Sequence, residues 1–170
     1  LSGRLNAESG ETFAGVISGP IESQVVLATS SGYGFVANLG DLQTKNKSGK
    51  AALKVQEGAQ VLIPRAVENE KDVLAAITNQ GRMLVFPLTE LPQLARGKGN
   101  KIIGIPKASF ESGEDFLQEV AVLGAGRELR LLSGKRHFTI KSKDLENFVG
   151  NRGRRGHFLP KGFRNVDGIE

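Results

Sequence analysis

Cysteine and tryptophan are absent from this 170-residue chain, tyrosine and methionine occur once each, and histidine twice. Without cysteine there is no disulfide and no thiolate metal ligand. Two histidines, His137 and His157, are too few for a His-rich catalytic metal centre. No apolar run approaches the ~18 residues that a membrane-spanning helix requires. The first residues also lack the basic start and apolar run of a secretory signal. These absences lead us to expect a cytoplasmic setting, no membrane contact and no cofactor. Aromatic residues make up only 6%, which leaves little material for a platform that stacks single-stranded bases.

What is present suits a folded, soluble chain of one domain, with 39% hydrophobic and 24% charged residues. The net charge of +5 is distributed unevenly. Residues 1–80 hold 7 Lys and Arg against 8 Asp and Glu, whereas residues 127–164 hold 11 against 3. A local field of one sign attracts polyanions.

Three segments share one grammar: "ATSSGYGFVANLGDLQTKNKSGKAALKV" (28–55), "ITNQGRMLVFPLTELPQLARGKGNKIIGI" (77–105) and "LLSGKRHFTIKSKDLENFVGNRGRRGHFL" (131–159). Each runs from an apolar strand through a Gly-containing turn into a second strand. An acidic–Leu pair follows (Asp41-Leu42, Glu90-Leu91, Asp144-Leu145), then a basic Gly-containing loop and another apolar stretch. Tyr33, Phe35, Ala37 and Leu39 alternate as in a half-buried strand, and Leu84, Phe86, Leu88 and Phe138, Ile140 repeat that register. Phe35, Phe86 and Phe138 therefore read as core, and the single Tyr33 likewise. "TSSGYG", "TNQGR" and "LSGKR" read as hairpin turns. Residues 112–123, "SGEDFLQEVAVL", form the one stretch that suits a helix, although "EVAVL" suits a strand equally.

Repeats of about fifty residues with about four strands predict an all-β, propeller-like array. We expect three complete blades, at 25–71, 72–126 and 127–170, the last with "GFRNVDGIE" as a closing strand. Residues 1–24 would be the remnant of a preceding blade and a linker, since "LSGRLNA" echoes the end of a repeat. Successive blades place equivalent loops along one edge, so three basic loops would form a positive track.

Phosphate contacts need surface Lys or Arg, with Gly allowing close backbone approach. The candidates are Lys45, Lys47 and Lys50 in the first loop, Arg96, Lys98 and Lys101 in the second, and Arg152, Arg154 and Arg155 in the third. Arg82, Lys135 and Arg136 in the turns and Lys161 and Arg164 near the end would widen the track. No recognition helix for the major groove is apparent, so binding would be largely sequence-independent and electrostatic. Catalytic patterns are missing. "SGKAA" has Gly49-Lys50, but Thr44 and Ala51 stand where a phosphate-binding P-loop needs Gly and a hydroxyl. The recurring Asp41, Glu90 and Asp144 read as turn caps.

The stretch "GRMLVFPLTELPQLARGKGNKIIGIP" (81–106), together with "SSGYGFVANLGDLQTKNKSGKAAL" and "NRGRRG", resembles the C-terminal DNA-binding domains of the topoisomerase IV and gyrase A subunits. The resemblance implies a β-pinwheel, in which blades exchange strands, and duplex DNA bound around the outer perimeter. It also implies that the domain serves a type II topoisomerase whose cleavage tyrosine lies elsewhere. The implied partners are the breakage-reunion domain of its own polypeptide, together with the ATPase subunit of the enzyme. The implied place is the nucleoid. No "QRRG" gyrase box occurs here, which favours the topoisomerase IV type, where DNA is bent rather than fully wrapped. The alternative from another class is a propeller-like protein-interaction scaffold with a basic rim.

Overall fold

A computed structural model describes residues 10–170. The echo "LSGRLNA" lies outside the described residues. Among the described residues no strand precedes Gln24, and a turn closed by Ser23 N–H donating to Pro20 O at 3.0 Å leads into the first sheet.

Eleven strands among the described residues make three antiparallel sheets. Each sheet is founded on a hairpin: β1 (Gln24–Thr29) with β2 (Tyr33–Asn38), β4 (Val73–Thr78) with β5 (Arg82–Pro87), and β8 (Leu129–Ser133) with β9 (Arg136–Ile140). A later strand adds to the outside of the first hairpin strand: β3 (Arg65–Val67), β7 (Leu117–Leu123) or β11 (Gly168–Ile169). The segment expected as closing strand is therefore β11. Residues 117–123 are strand rather than helix, because β4 offers a long edge on which Leu117, Val120, Ala121 and Leu123 become buried. The helical turn lies just upstream, at Lys107–Glu111.

The first two sheets gain a fourth strand from the next repeat. β6 (Asn100–Lys101) pairs with β2, and β10 (His157–Phe158) pairs with β5. β6 lies within residues 72–126 and β10 within residues 127–170, each paired to the sheet of the preceding repeat. Each of the first two blades is thus discontinuous in sequence.

Exchange explains two glycines of the basic loops. Gly99 and Gly156 immediately precede β6 and β10, both at positive φ (76° and 71°). A Cβ at Gly99 would overlap Gly34 O, and one at Gly156 would overlap Met83 O. Backbone lies on backbone at each crossing, and only glycine fits there.

The hairpin strands of the first two sheets are buried on both faces rather than half-buried, whereas β8 of the third keeps the alternation, with Arg130 exposed between Leu129 and Leu131. Val26, Ala28 and Val36 of the first sheet meet Leu74, Ala76, Leu84 and Phe86 of the second. The alternate residues Ala75, Ile77, Met83 and Val85 meet Leu129, Leu131 and Ile140 of the third. Val25, Leu27, Phe35 and Ala37 face the other way, onto Ile17, Leu39, Leu42 and Leu94. Period-2 alternation thus sorts side chains between two cores instead of between core and water. Phe35 and Phe86 are fully buried, as expected of core residues. Phe138 is half-buried and stacks on Phe163, ring centroids 5.0 Å apart.

Candidate nucleic-acid interface

After each hairpin the chain makes one helical turn, at Leu39–Leu42, Leu88–Glu90 or Ser142–Leu145. These turns carry Asp41, Glu90 and Asp144, none of which caps its turn through its side chain. Glu90 instead accepts a bond at 3.3 Å from the backbone N–H of Arg152, two repeats' loops being brought together. The anticipated capping role is replaced, at this position, by contact between repeats.

The basic loops follow these turns, and they form one continuous seam. At the first junction, Gly97 N–H donates to Ala52 O at 2.9 Å, and Lys54 N–H donates to Gly97 O at 2.8 Å. At the second, Gly153 N–H donates to Ile102 O at 2.9 Å and Gly104 N–H to Arg154 O at 2.8 Å. The end of each loop is therefore hydrogen-bonded to the next loop, which holds cations from three repeats in sequence along the seam.

The fourteen candidate cations divide by what they touch. Among the described residues, the side chains of Lys45, Lys47, Arg96, Lys101, Lys135, Arg154 and Lys161 are exposed and form no ion pair, hydrogen bond or ring contact. Lys45 and Lys47 lie in the first loop, Arg96 and Lys101 in the second, and Arg154 in the third, so each loop supplies unpaired charge. Lys135 sits at the third hairpin turn and Lys161 beyond β10, away from these junctions.

The remaining candidates are engaged. Lys50 donates back to Asp41 O of the helical turn that precedes its loop. Lys98 stands over the Tyr33 ring, 3.7 Å from its centroid. Tyr33 is consequently a half-buried wall of a cleft of about 450 Å³ between the second loop and the Lys107–Glu111 turn, not a core residue. Arg136 donates to Gly162 O at 2.9 Å beside the Phe163 ring. Arg152 donates to Lys101 O at 2.7 Å. Arg155 donates to Gly104 O at 3.2 Å and pairs with Asp115. Arg82 donates to Gly156 O at 3.2 Å and lies 3.8 Å from the Phe158 centroid, with Arg164 at 4.4 Å from the same ring. Burial lowers the Arg82 pKa, the Arg155 charge adds to that, Asp115 opposes it and Arg164 lowers it further.

Sequence reasoning missed Lys107, which lines the same cleft as Lys98 and Lys101 and pairs with Glu111 at 3.6 Å. Its signal was "PKAS", a lysine directly after the proline that starts the helical turn. Asp115 was also missed. It carries no recurring pattern, and only its burial identifies it.

A family model described as the DNA gyrase C-terminal domain, a β-propeller, matches residues 23–67 and 72–123. The chain belongs to that family. The DNA topoisomerase 4 A subunit from Pseudomonas aeruginosa is 49% identical over 170 residues, covering 99% of this chain and 22% of the relative. The Escherichia coli K12 protein of the same name is 39% identical, covering 100% and 22%. The chain thus spans about a fifth of the length of these curated relatives. The solved E. coli ParC C-terminal domain superposes with a TM-score of 0.89 at 39% identity, covering 99% of this chain and 68% of that one. A DNA gyrase A C-terminal domain gives 0.77 at 15% identity, covering 99% and 56%, a likeness of fold alone. The chain is a β-pinwheel of the kind carried at the C-terminus of the topoisomerase IV A subunit. No helix among the described residues is long and apolar enough to cross a membrane.

Proposed function

We propose that this domain binds and bends duplex DNA for a type IIA topoisomerase of the topoisomerase IV kind, without chemistry of its own. It presents a DNA segment to the strand-passage gate of the breakage-reunion domain, and so tunes supercoil relaxation and decatenation by the parent enzyme with its ATPase subunit on the nucleoid. The observation that carries this reading is the seam, where unpaired Lys45, Lys47, Arg96, Lys101 and Arg154 follow one another through backbone-bonded loops. Lys and Arg on a curved array of blades neutralise phosphates, and curvature is imposed when the duplex follows them. Bending 20–30 bp by 40–90° costs on the order of 1–6 kcal/mol, which several phosphate contacts offset.

A duplex-binding titration against salt tests the reading. With roughly 6–8 phosphates engaged, log K against log[salt] falls with a slope of about −5 to −7. A slope between about 0 and −2 removes the phosphate grip and with it the proposal. Charge reversal at Arg96, Lys101 and Arg154 weakens duplex binding without unfolding the domain, since none of these side chains has a structural partner. Unchanged affinity after that reversal transfers the basic rim to an acidic protein partner instead.

A further inference from the structure

Arg152, Arg154 and Arg155 stand almost side by side in "NRGRRG", yet only Arg154 is directed to solvent without a side-chain partner. Arg155 turns inward, where its Nη1 donates to Gly104 O and to the Asp115 carboxylate. The Asp115 side chain is only 4% exposed, and its second oxygen, Oδ1, is buried with no hydrogen-bond partner. Gly104 belongs to the segment leaving β6 of the first sheet, whereas Asp115 and Arg155 lead into β7 and β10, both of the second. One guanidinium therefore ties three segments at the junction of two blades.

We propose that Arg155, anchored on Asp115 in the second blade and bonded to Gly104 O of the segment leaving the first, is a buckle that fixes the angle between those blades, and with it the curvature imposed on bound duplex, while phosphate contact in this loop falls to Arg154. The proposal rests on the DNA-binding reading. The Arg155 side chain is 40% exposed, but its Nη1 is committed to Asp115 and Gly104, and swinging the whole guanidinium onto a phosphate would leave a buried carboxylate uncompensated. The carboxylate also offsets part of the Arg155 charge, whereas Arg154 has no counter-charge beside it. Arg155 is thus a positioning residue and Arg154 a contact residue.

Four variants of the chain test this: Arg154→Gln, Arg155→Gln, Asp115→Asn, and the last two combined. Each is measured for the salt slope of duplex binding, for the bend angle by end-to-end energy transfer on a labelled duplex, and for amide exchange at Gly104 and Gly153. Arg154→Gln reduces the slope by about 0.9 and leaves exchange unchanged. Arg155→Gln leaves the slope unchanged, and both Arg155→Gln and Asp115→Asn shift the bend in the same direction and accelerate exchange at both glycines by about tenfold or more. The double variant shifts the bend no further than either single change. Arg155→Gln decides phosphate contact because it removes the charge, whereas Asp115→Asn keeps every arginine and isolates the buckle, so an unchanged bend in Asp115→Asn overturns the proposal. A slope loss of about one unit in Arg155→Gln overturns it as well. Should Arg155→Gln fail to fold by circular dichroism, Asp115→Asn carries the comparison alone. A wild-type slope near zero refutes the DNA reading and the curvature role together. The exchange rates still judge the buckle, and equal rates in wild type and Asp115→Asn remove it.

Discussion

The first and third basic loops start from similar sequences, "TKNKSGK" and "NRGRRGH", and reach different physical states. In the third, Gly156 crosses the backbone of Met83, Arg152 and Arg155 are bonded to carbonyls of the second loop, and the loop is stitched to Ile102 and Gly104. In the first, Gly49 also has a positive φ, 79°, but no atom lies within 4 Å of the Cβ it lacks, and Lys45 and Lys47 have no side-chain partners. One grammar thus serves two purposes. Glycine supplies the turn in both loops, and in the third it also admits an exchanged strand. Cations provide charge in both, and in the third two of them serve as mechanical ties. The motif alone does not reveal which role operates, because the role depends on whether a neighbouring blade lies beneath.

The largest effect that sharpens this contrast comes from alanine at the two glycines. Gly156→Ala combines a disfavoured φ with overlap against backbone and costs about 3 kcal/mol of unfolding free energy by urea titration. Gly49→Ala meets only the φ penalty and costs about 1 kcal/mol. Equal losses would show that the third loop is no more constrained than the first.

The next effect is on binding. Neutralising Arg96 and Arg154 together reduces the salt slope for duplex DNA by about two units, since each loses one phosphate contact. Lys45→Gln with Lys47→Gln does the same if the unclamped loop joins the track, and neither pair changes stability by more than about 0.5 kcal/mol. A flat response from the lysine pair would start the track at the second loop.

The smallest effect concerns Lys98, which covers the Tyr33 ring. Lys98→Ala costs about 0.5–1 kcal/mol of stability through the lost cation–π contact. The chain has one tyrosine and no tryptophan, so Tyr33 emission reports this location alone. Duplex DNA that draws Lys98 toward a phosphate changes that emission, and saturation without change places Lys98 off the track.

Several features were legible in the residues themselves. Alternation in "YGFVANL" and "MLVFPL" identified the hairpin strands, and the glycines of "SSGYG" and "NQGR" located the turns between them. The recurring acidic–Leu pair marked a turn preceding each loop, though not its helical form. Other features were not legible. "EVAVL" carried helix and strand signals together, and the free edge of β4 decided between them. Tyr33 looked like a core residue because its alternating neighbours are core, yet it lies at the first position of β2, where β6 begins to pair and Lys98 can cover it. Likewise the half-buried expectation failed for the first two hairpins, though not for the third, because local periodicity cannot reveal which sheets will be covered on both faces.

Residue order was enough for the β class, the threefold repeat, the position of each basic loop and the total charge available to it, because these depend on neighbours a few residues apart. Which cations remain free, and which hold the blades together, is settled in three dimensions. Arg155 takes its partners from Asp115 and Gly104, 40 and 51 residues away. Strand exchange brings those groups within reach, and no local pattern encodes the direction in which a guanidinium will turn once they are there.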